Sequence, residues 1–311
     1  FVLKPSERTP LTAVRLAELV AEAGFPPGVF NIVHGAHEAV NALIADPEVK
    51  AVSFVGSQPV AEHVYRTAAG YGKRVQALAG AKNHSIVMPD ADLDDAARQI
   101  TSAAFGSAGE RCMAASVVVA VGEAAEPLVR KLREAADRIV IGNGLDRGVF
   151  LGPVIRDSQK AKMVEYIEAG IAEGAELVRD GRRDEAFTRE GYFIGPTLFD
   201  RVTPEMSIWK KELFGPILSI VRAETLEEAI DIANRSEFAN AACLYTKSGI
   251  HARLFRERIE AGMIGINVGV PAPTAFFPFS GYKKSFYGDL HANGEDGVRF
   301  YTRQKTVTAK W

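Results

Sequence analysis

Short apolar runs alternate with segments of helical period along most of this chain, and that rhythm constrains the fold more than any other feature. Phe1–Leu3 reads as a strand. Pro10–Ala23 carries Leu11, Val14, Leu16, Leu19 and Val20 at helical spacing, and Gly24 follows as a stop signal. Val29–Val33 and Ala51–Val55 read as strands, with Ala36–Ala45 a helix between them. Gly56-Ser57 then turns into a helix with Pro59 in its first turn, where no intrahelical hydrogen bond is lost. Val75–Leu78 is a further strand. Strands separated by helices in this way pair in parallel, with the helices covering the sheet faces. The expected class is α/β.

The rhythm breaks at Gly80-Ala81-Lys82-Asn83, the expected domain boundary. A second α/β stretch follows. Its expected helices are Asp92–Phe105, Ala124–Arg138, Ser158–Glu173, Leu226–Asn234 and His251–Ala261, and its expected strands are Ser116–Val121, Ala241–Tyr245 and Gly265–Val268. A length of 311 residues accords with two domains at ~150 residues each. Ala272–Gly297, dominated by Pro, Phe, Gly, Asn and Ser, reads as loop. Val298–Trp311 reads as extended, since Phe300, Thr302, Thr306 and Thr308 favour β structure. An exposed terminal strand of this kind calls for a second subunit to pair with it.

Composition excludes several classes. With 47% hydrophobic residues the chain is not intrinsically disordered. Lys plus Arg number 37 against 39 Asp plus Glu, and no basic stripe marks a nucleic-acid surface. Runs such as Ala115–Val121 fall far short of the ~20 residues that cross a bilayer. The two cysteines, Cys112 and Cys243, make no disulfide framework or metal pair, and a reducing cytoplasm is the natural setting. No metal is expected. The chain starts without Met and enters a strand at Phe1-Val2-Leu3, so it reads as the C-terminal part of a longer protein.

Four segments could carry chemistry. In Gly109-Glu110-Arg111-Cys112-Met113-Ala114, small residues let the backbone approach a ligand, and Arg111 beside the thiol favours the reactive thiolate. A lone cysteine is ordinarily an inert core residue, and Cys243 in Ala241-Ala242-Cys243-Leu244 is read that way. In Ser53-Phe54-Val55-Gly56-Ser57 a strand ends at a helix start, which suits phosphate as well as an ordinary N-cap. The GxGxxG fingerprint of the standard dinucleotide fold is absent. Lys4-Pro5-Ser6-Glu7 lies after a strand and suits either ribose hydroxyls or a solvated turn. Lys210-Lys211-Glu212-Leu213-Phe214-Gly215-Pro216 is, by itself, a turn.

Together, and in this order, these segments resemble the NAD(P)-dependent aldehyde dehydrogenase superfamily over essentially the whole chain. They are most similar to its CoA-acylating branch, the methylmalonate- and malonate-semialdehyde dehydrogenases. Phe1–Glu7, Ala51–Ser57, Gly80–His84, Phe105–Ala114, Glu212–Pro216 and Phe277–Trp311 carry the resemblance. It implies residues 1–80 as the remainder of a Rossmann-like NAD domain and 81–272 as an α/β catalytic domain. Residues 273–297 would then be a loop returning to the NAD domain, and 298–311 an oligomerisation strand in a homodimer or homotetramer. Cys112 takes the family's nucleophile position. Lys4 and Glu7 match the pair on the adenosine ribose, with Arg8 beside them. Gly56 and Ser57 match the pyrophosphate turn, and Ala79 a backbone contact near the nicotinamide. Glu212 matches the residue on the nicotinamide ribose, with Phe214 packed beside it. In the family a preceding portion supplies an Asn side chain to the oxyanion hole, and such a donor is worth about 3 kcal/mol.

One departure from the family pattern is chemically informative. Acid-producing members have Glu-Leu-Gly-Gly-Lys where this chain has Leu78-Ala79-Gly80-Ala81-Lys82. A leucine cannot activate water, so the resemblance implies that coenzyme A takes the acyl group from Cys112. The expected reaction is NAD-dependent oxidation of malonate or methylmalonate semialdehyde to acetyl-CoA or propionyl-CoA with loss of CO2. Arg111 would bind the substrate carboxylate through two parallel hydrogen bonds. An acid-forming dehydrogenase with another base, or a catalytically silent protein on the same fold, remains open at this level.

Overall fold

The computed structural model describes residues 1–311. The first lobe runs β1 (Val2–Leu3), α1 (Pro10–Glu22), β2 (Asn31–Ile32), α2 (His37–Ala45), β3 (Ala51–Val55), α3 (Gln58–Gly70) and β4 (Arg74–Leu78). The second begins β5 (Asn83–Val87), α4 (Leu93–Phe105), β6 (Ala115–Val121), α5 (Ala125–Asp137), α6 (Asp157–Ala172), β7 (Glu176–Arg179), β8 (Thr197–Asp200) and α7 (Ser207–Lys210). It continues β9 (Ile217–Ala223), α8 (Leu226–Asn234), β10 (Phe238–Ala239), β11 (Ala241–Tyr245), α9 (Gly249–Arg258) and β12 (Met263–Ile266). The chain then returns through β13 (Tyr282–Lys283), β14 (Phe286–Gly288) and α10 (Gly294–Tyr301).

A seven-stranded sheet in the order β12-β11-β5-β6-β9-β8-β7 forms the second lobe, parallel throughout except for β7. Its central strands are apolar on both faces, as a sheet covered by helices on each side requires. Along β6 the side chains alternate by period two: Val117, Val119 and Val121 enter a core of 29 buried residues, while Val118 and Ala120 enter one of 21. Helices α6, α8 and α9 cover the first face through Met163, Ile167, Ile230 and Phe255. Helices α4 and α5 cover the other through Ile100, Phe105, Leu128 and Leu132. Asp92 caps α4 by accepting from the N–H groups of Asp94 and Asp95.

The first lobe is thinner. Its sheets are β1-β2 and β14-β4-β3, with β14 antiparallel to β4. Gln58 donates to the Tyr287 hydroxyl at 2.8 Å, which ties α3 to the returning segment.

Three expectations change. The break expected at Gly80–Asn83 ends one residue early, because Asn83 already opens β5. The stretch 272–297, expected as loop, contains β13 and β14, strands too short to show a period. Val298–Tyr301, expected extended, closes helix α10, and residues 303–311 join no strand. Glu295 and Asp296 favour the helix start, and the Arg74 guanidinium donates to the carbonyls of Arg299 (3.0 Å) and Phe300 (2.7 Å) at its end.

Candidate active site

Four residues, Ala79–Lys82, carry the chain from the carboxyl end of β4 to the amino end of β5. The carboxyl edge of the small sheet therefore abuts the amino edge of the large one. Cys112 lies at that junction, just before β6.

Glycine and left-handed backbone shape the approach to Cys112. After α4, Ser107, Ala108 and Gly109 take φ of 53°, 54° and 70°. A Cβ on Gly109 would stand 2.4 Å from the Gly215 carbonyl oxygen, so only glycine fits there. The chain then makes a turn closed by the Ala114 N–H donating to the Arg111 carbonyl at 3.0 Å. At the centre of the turn, the Cys112 carbonyl accepts from Asn83 Nδ2 (2.8 Å) and Asn240 Nδ2 (3.0 Å). Asn83 also donates to the Ala114 carbonyl at 2.8 Å and accepts from the Ala241 N–H at 3.0 Å. Neither asparagine was expected as part of the site. Amide bonds to distant backbone leave no pattern in a sequence.

Electrostatics at the thiol differ from the expectation. Burial pushes Cys112 above the ordinary thiol range, and the Glu212 charge adds to this. The N–H groups of Cys112 and Met113 pull the other way, and Arg111 does so least. The adjacent cation does not by itself make a thiolate here. Arg111 instead donates through Nη2 to the carbonyls of Ser102 (2.9 Å) and Ala103 (3.1 Å), where a cation is favoured at the end of α4. Its buried Nε has no partner. Glu110 pairs with the Ile155 N–H at 3.0 Å, and burial pushes its carboxyl up to about 7. Cys243 is buried and pushed up to about 12, an inert core thiol.

Glu212 reaches the linker from the segment after α7. Its Oε1 accepts the Ala81 N–H at 2.9 Å, and a Cβ on Gly80 would lie 2.5 Å from its Oε2. Burial drives both Glu212 and Lys82 toward their neutral forms, Lys82 down to about 7, although each charge favours the other. Lys82 Nζ donates to the Ile208 carbonyl at 2.7 Å. Gln159 of α6 pins the Glu212–Pro216 segment by donating to the carbonyls of Leu213 (3.0 Å) and Phe214 (2.6 Å). Cys112, Arg111, Glu212 and Phe214 line one small void. A cleft of about 510 Å³ between α4 and α5 holds none of these residues.

The expected cofactor residues fall into two groups. Ser57 is the N-cap of the thirteen-residue α3, yet its side chain makes no capping hydrogen bond, so the helix start is open to an anion. Gly56 follows the end of β3, and a Cβ there would strike the Phe54 ring at 2.5 Å. The Ala79 N–H is taken by the Ser285 carbonyl at 2.8 Å, which leaves only its carbonyl for a ligand. Lys4 follows β1, and its Nζ is engaged by the carbonyls of Gly35 (2.8 Å) and Pro5. Glu7 and Arg8 stand exposed in the next turn. Leu78, buried at the end of β4 and paired with Phe286, puts no carboxylate there. No three His, Cys, Asp or Glu residues cluster as metal ligands, and no helix is long and apolar enough to cross a membrane.

Comparison with known proteins bears on this site. The model of the aldehyde dehydrogenase family matches residues 1–307. The chain is 72% identical to malonate-semialdehyde dehydrogenase 3 of Geobacillus kaustophilus, covering 100% of this chain and 64% of that protein. The crystal structure of a methylmalonate-semialdehyde dehydrogenase from Oceanimonas doudoroffii superposes with a TM-score of 0.98 at 51% identity, over 100% of this chain and 64% of that one. A Sinorhizobium meliloti protein complexed with NAD superposes with a TM-score of 0.98 at 49% identity, with the same coverage. The chain thus spans just under two thirds of the length of the relatives it matches.

Proposed function

The chain belongs to the aldehyde dehydrogenase family, and from that premise we propose that it serves the NAD-dependent, CoA-acylating oxidation of malonate or methylmalonate semialdehyde. The relatives named above support the substrate class and the cofactor. Leu78 is the observation that carries the CoA-acylating part. A buried leucine stands at the end of β4, where acid-forming members place the glutamate that activates water.

The chain's own residues divide the work. The Cys112 sulfur attacks the aldehyde carbon, and its thiol proton leaves to solvent. The Cys112 N–H holds the developing oxyanion, a charge best met by donors fixed in advance. NAD, when bound, accepts the hydride that leaves the tetrahedral carbon, and a thioester remains on Cys112. Glu212 would hold the nicotinamide ribose, with Phe214 beside it. The open start of α3 at Gly56-Ser57 would take the pyrophosphate, and Lys4, Glu7 and Arg8 the adenosine ribose. With no base at position 78, the thioester persists. Its acyl group sheds the carboxylate as CO2 and takes a proton from solvent, and the CoA thiol then displaces Cys112 to leave acetyl-CoA or propionyl-CoA. This is covalent catalysis that splits one hard step into two. Arg111 would meet the substrate carboxylate with the donors that its two helix-end carbonyls leave over. The protein would act in the cytoplasm as a homo-oligomer.

NADH formation from either semialdehyde, with and without CoA, tests the reading. Turnover should require CoA. Steady turnover without it would mean that another residue activates water, and the product would be the free acid.

A further inference from the structure

Two asparagines grip the carbonyl of the residue read here as the nucleophile. Asn83 opens β5 and Asn240 precedes β11, and both are at least 95% buried. Both donate to Cys112 O, and Asn240 Nδ2 also lies 3.2 Å from Met113 Sδ. The peptide they hold is the central one of the Arg111–Ala114 turn. That peptide is the mobile part of a β-turn: rotating it by about 180° interconverts types I and II and leaves the flanking chain almost unmoved. Type II requires a positive φ at the third residue, and Met113 has none, so the turn stands in the other orientation.

The orientation matters because a peptide's C=O and N–H point opposite ways. With Cys112 O drawn toward the two amides, the Met113 N–H is turned back toward the sulfur. There, with the Cys112 N–H, it favours the anionic thiol against burial and the Glu212 charge. We propose that Asn83 and Asn240 are positioning residues that lock the Cys112–Met113 peptide so that its N–H serves the sulfur and the oxyanion formed beside it. The proposal rests on Cys112 being the nucleophile. Asn240 is the cleaner probe, because Asn83 also holds the backbone of Ala114 and Ala241.

The test is the rate of Cys112 alkylation by iodoacetamide between pH 6 and 10, in the unsubstituted chain and in Asn240→Leu. Loss of one of the two carbonyl locks should slow alkylation at pH 7 by about three- to tenfold and move the rate profile to higher pH. A merely structural asparagine predicts the opposite sign: loosened packing exposes the thiol and speeds labelling. Alkylation of Asn240→Leu at or above the unsubstituted rate across the range would overturn the proposal. Should Asn240→Leu lose its far-UV circular dichroism, Asn240→Ser carries the same comparison with a smaller perturbation. Cys112 labelling no faster than Cys243 in the unsubstituted chain would strike down the nucleophile reading itself, which separates the two failures.

Discussion

The two lobes are written in the same alternating script and end in different states. Around the seven-stranded sheet, two cores hold 29 and 21 buried residues, and the helices present their apolar stripes to them. The first lobe buries a cluster of seven, among them Ile44, Val64 and Ala77. On its α1 the stripe Leu11, Val14, Leu16 and Leu19 is exposed, Leu11 by 78%. Phe1, Phe25 and Val55 are exposed as well. Periodicity therefore specifies which elements form and which face is apolar. How much apolar area leaves water depends on what packs against that face, and burial contributes roughly 25 cal/mol per Å². On the proposed reading, the nucleophile Cys112 and the nicotinamide-side residues Glu212 and Phe214 belong to the large-sheet lobe, while Lys4, Glu7, Arg8, Gly56 and Ser57 belong to the smaller one.

The sharpest way to break this contrast is to cut the same side chain from each lobe. Ile100 of α4 and Ile44 of α2 are both at most 1% exposed. Truncation of a buried isoleucine to alanine costs about 2–5 kcal/mol, least where the site can relax. Ile100→Ala should fall at the top of that range in urea unfolding and Ile44→Ala at the bottom. Equal costs would show that the two sites relax equally little around the cavity, and the contrast in packing would be one of appearance only.

The start of β5, just past the linker, offers a second, pH-dependent handle. His84 is fully buried, its Nδ1 2.8 Å from the Lys82 carbonyl and its ring edge-on to Trp209. Burial pushes it down to about 3. Its folded pKa is depressed, so the unfolded chain binds the extra proton first. The stability of the neutral ring is whole above about pH 6.5 and drains as pH falls toward 3. At pH 5 the loss is about 2 kcal/mol, from 1.36 kcal/mol per unit. Lys82, pushed down to about 7, follows the same sign at higher pH: stability rises from about pH 7 toward 10.5. Thermal melts at pH 5 and 7, with His84→Gln as the reference, check this. A His84→Gln protein that loses stability over that interval as steeply as the parent would place the acid sensitivity elsewhere.

What the sequence disclosed follows from the range of the interactions involved. The bounds of β3, α8 and β11 could be read directly, because the two strands are largely apolar runs flanked by polar or glycine residues, and α8 carries Leu226, Ala229, Ile230 and Ala233 at helical spacing. Strands β13 and β14 could not, because two or three residues show no period. Helix α10 depends on Arg74, more than two hundred residues upstream, for its C-terminal hydrogen bonds. The site divides likewise. Cys112, Ser57 and Glu212 stand in ordered local motifs that can be recognised. Asn83, Asn240, Gln159 and Lys82 act through backbone groups of distant segments, and only folding brings those together.

The smallest expected effect tests whether the open helix start in the first lobe is kept for a ligand. An N-cap serine that bonds its helix is worth about 1 kcal/mol against alanine. Ser57 makes no such bond, so Ser57→Ala should change the unfolding free energy by less than about 0.5 kcal/mol. The first N–H groups of α3 would still face the anion, so NAD affinity should fall by only the hydroxyl's share, about three- to tenfold. Titration of NAD by tryptophan fluorescence, run beside urea unfolding, reads both quantities. Lost stability with unchanged affinity would make Ser57 an ordinary cap and this turn a structural one. Lost affinity with unchanged stability would mean that the hydroxyl of Ser57, unbonded to its own helix, is free for the ligand and takes no part in holding α3.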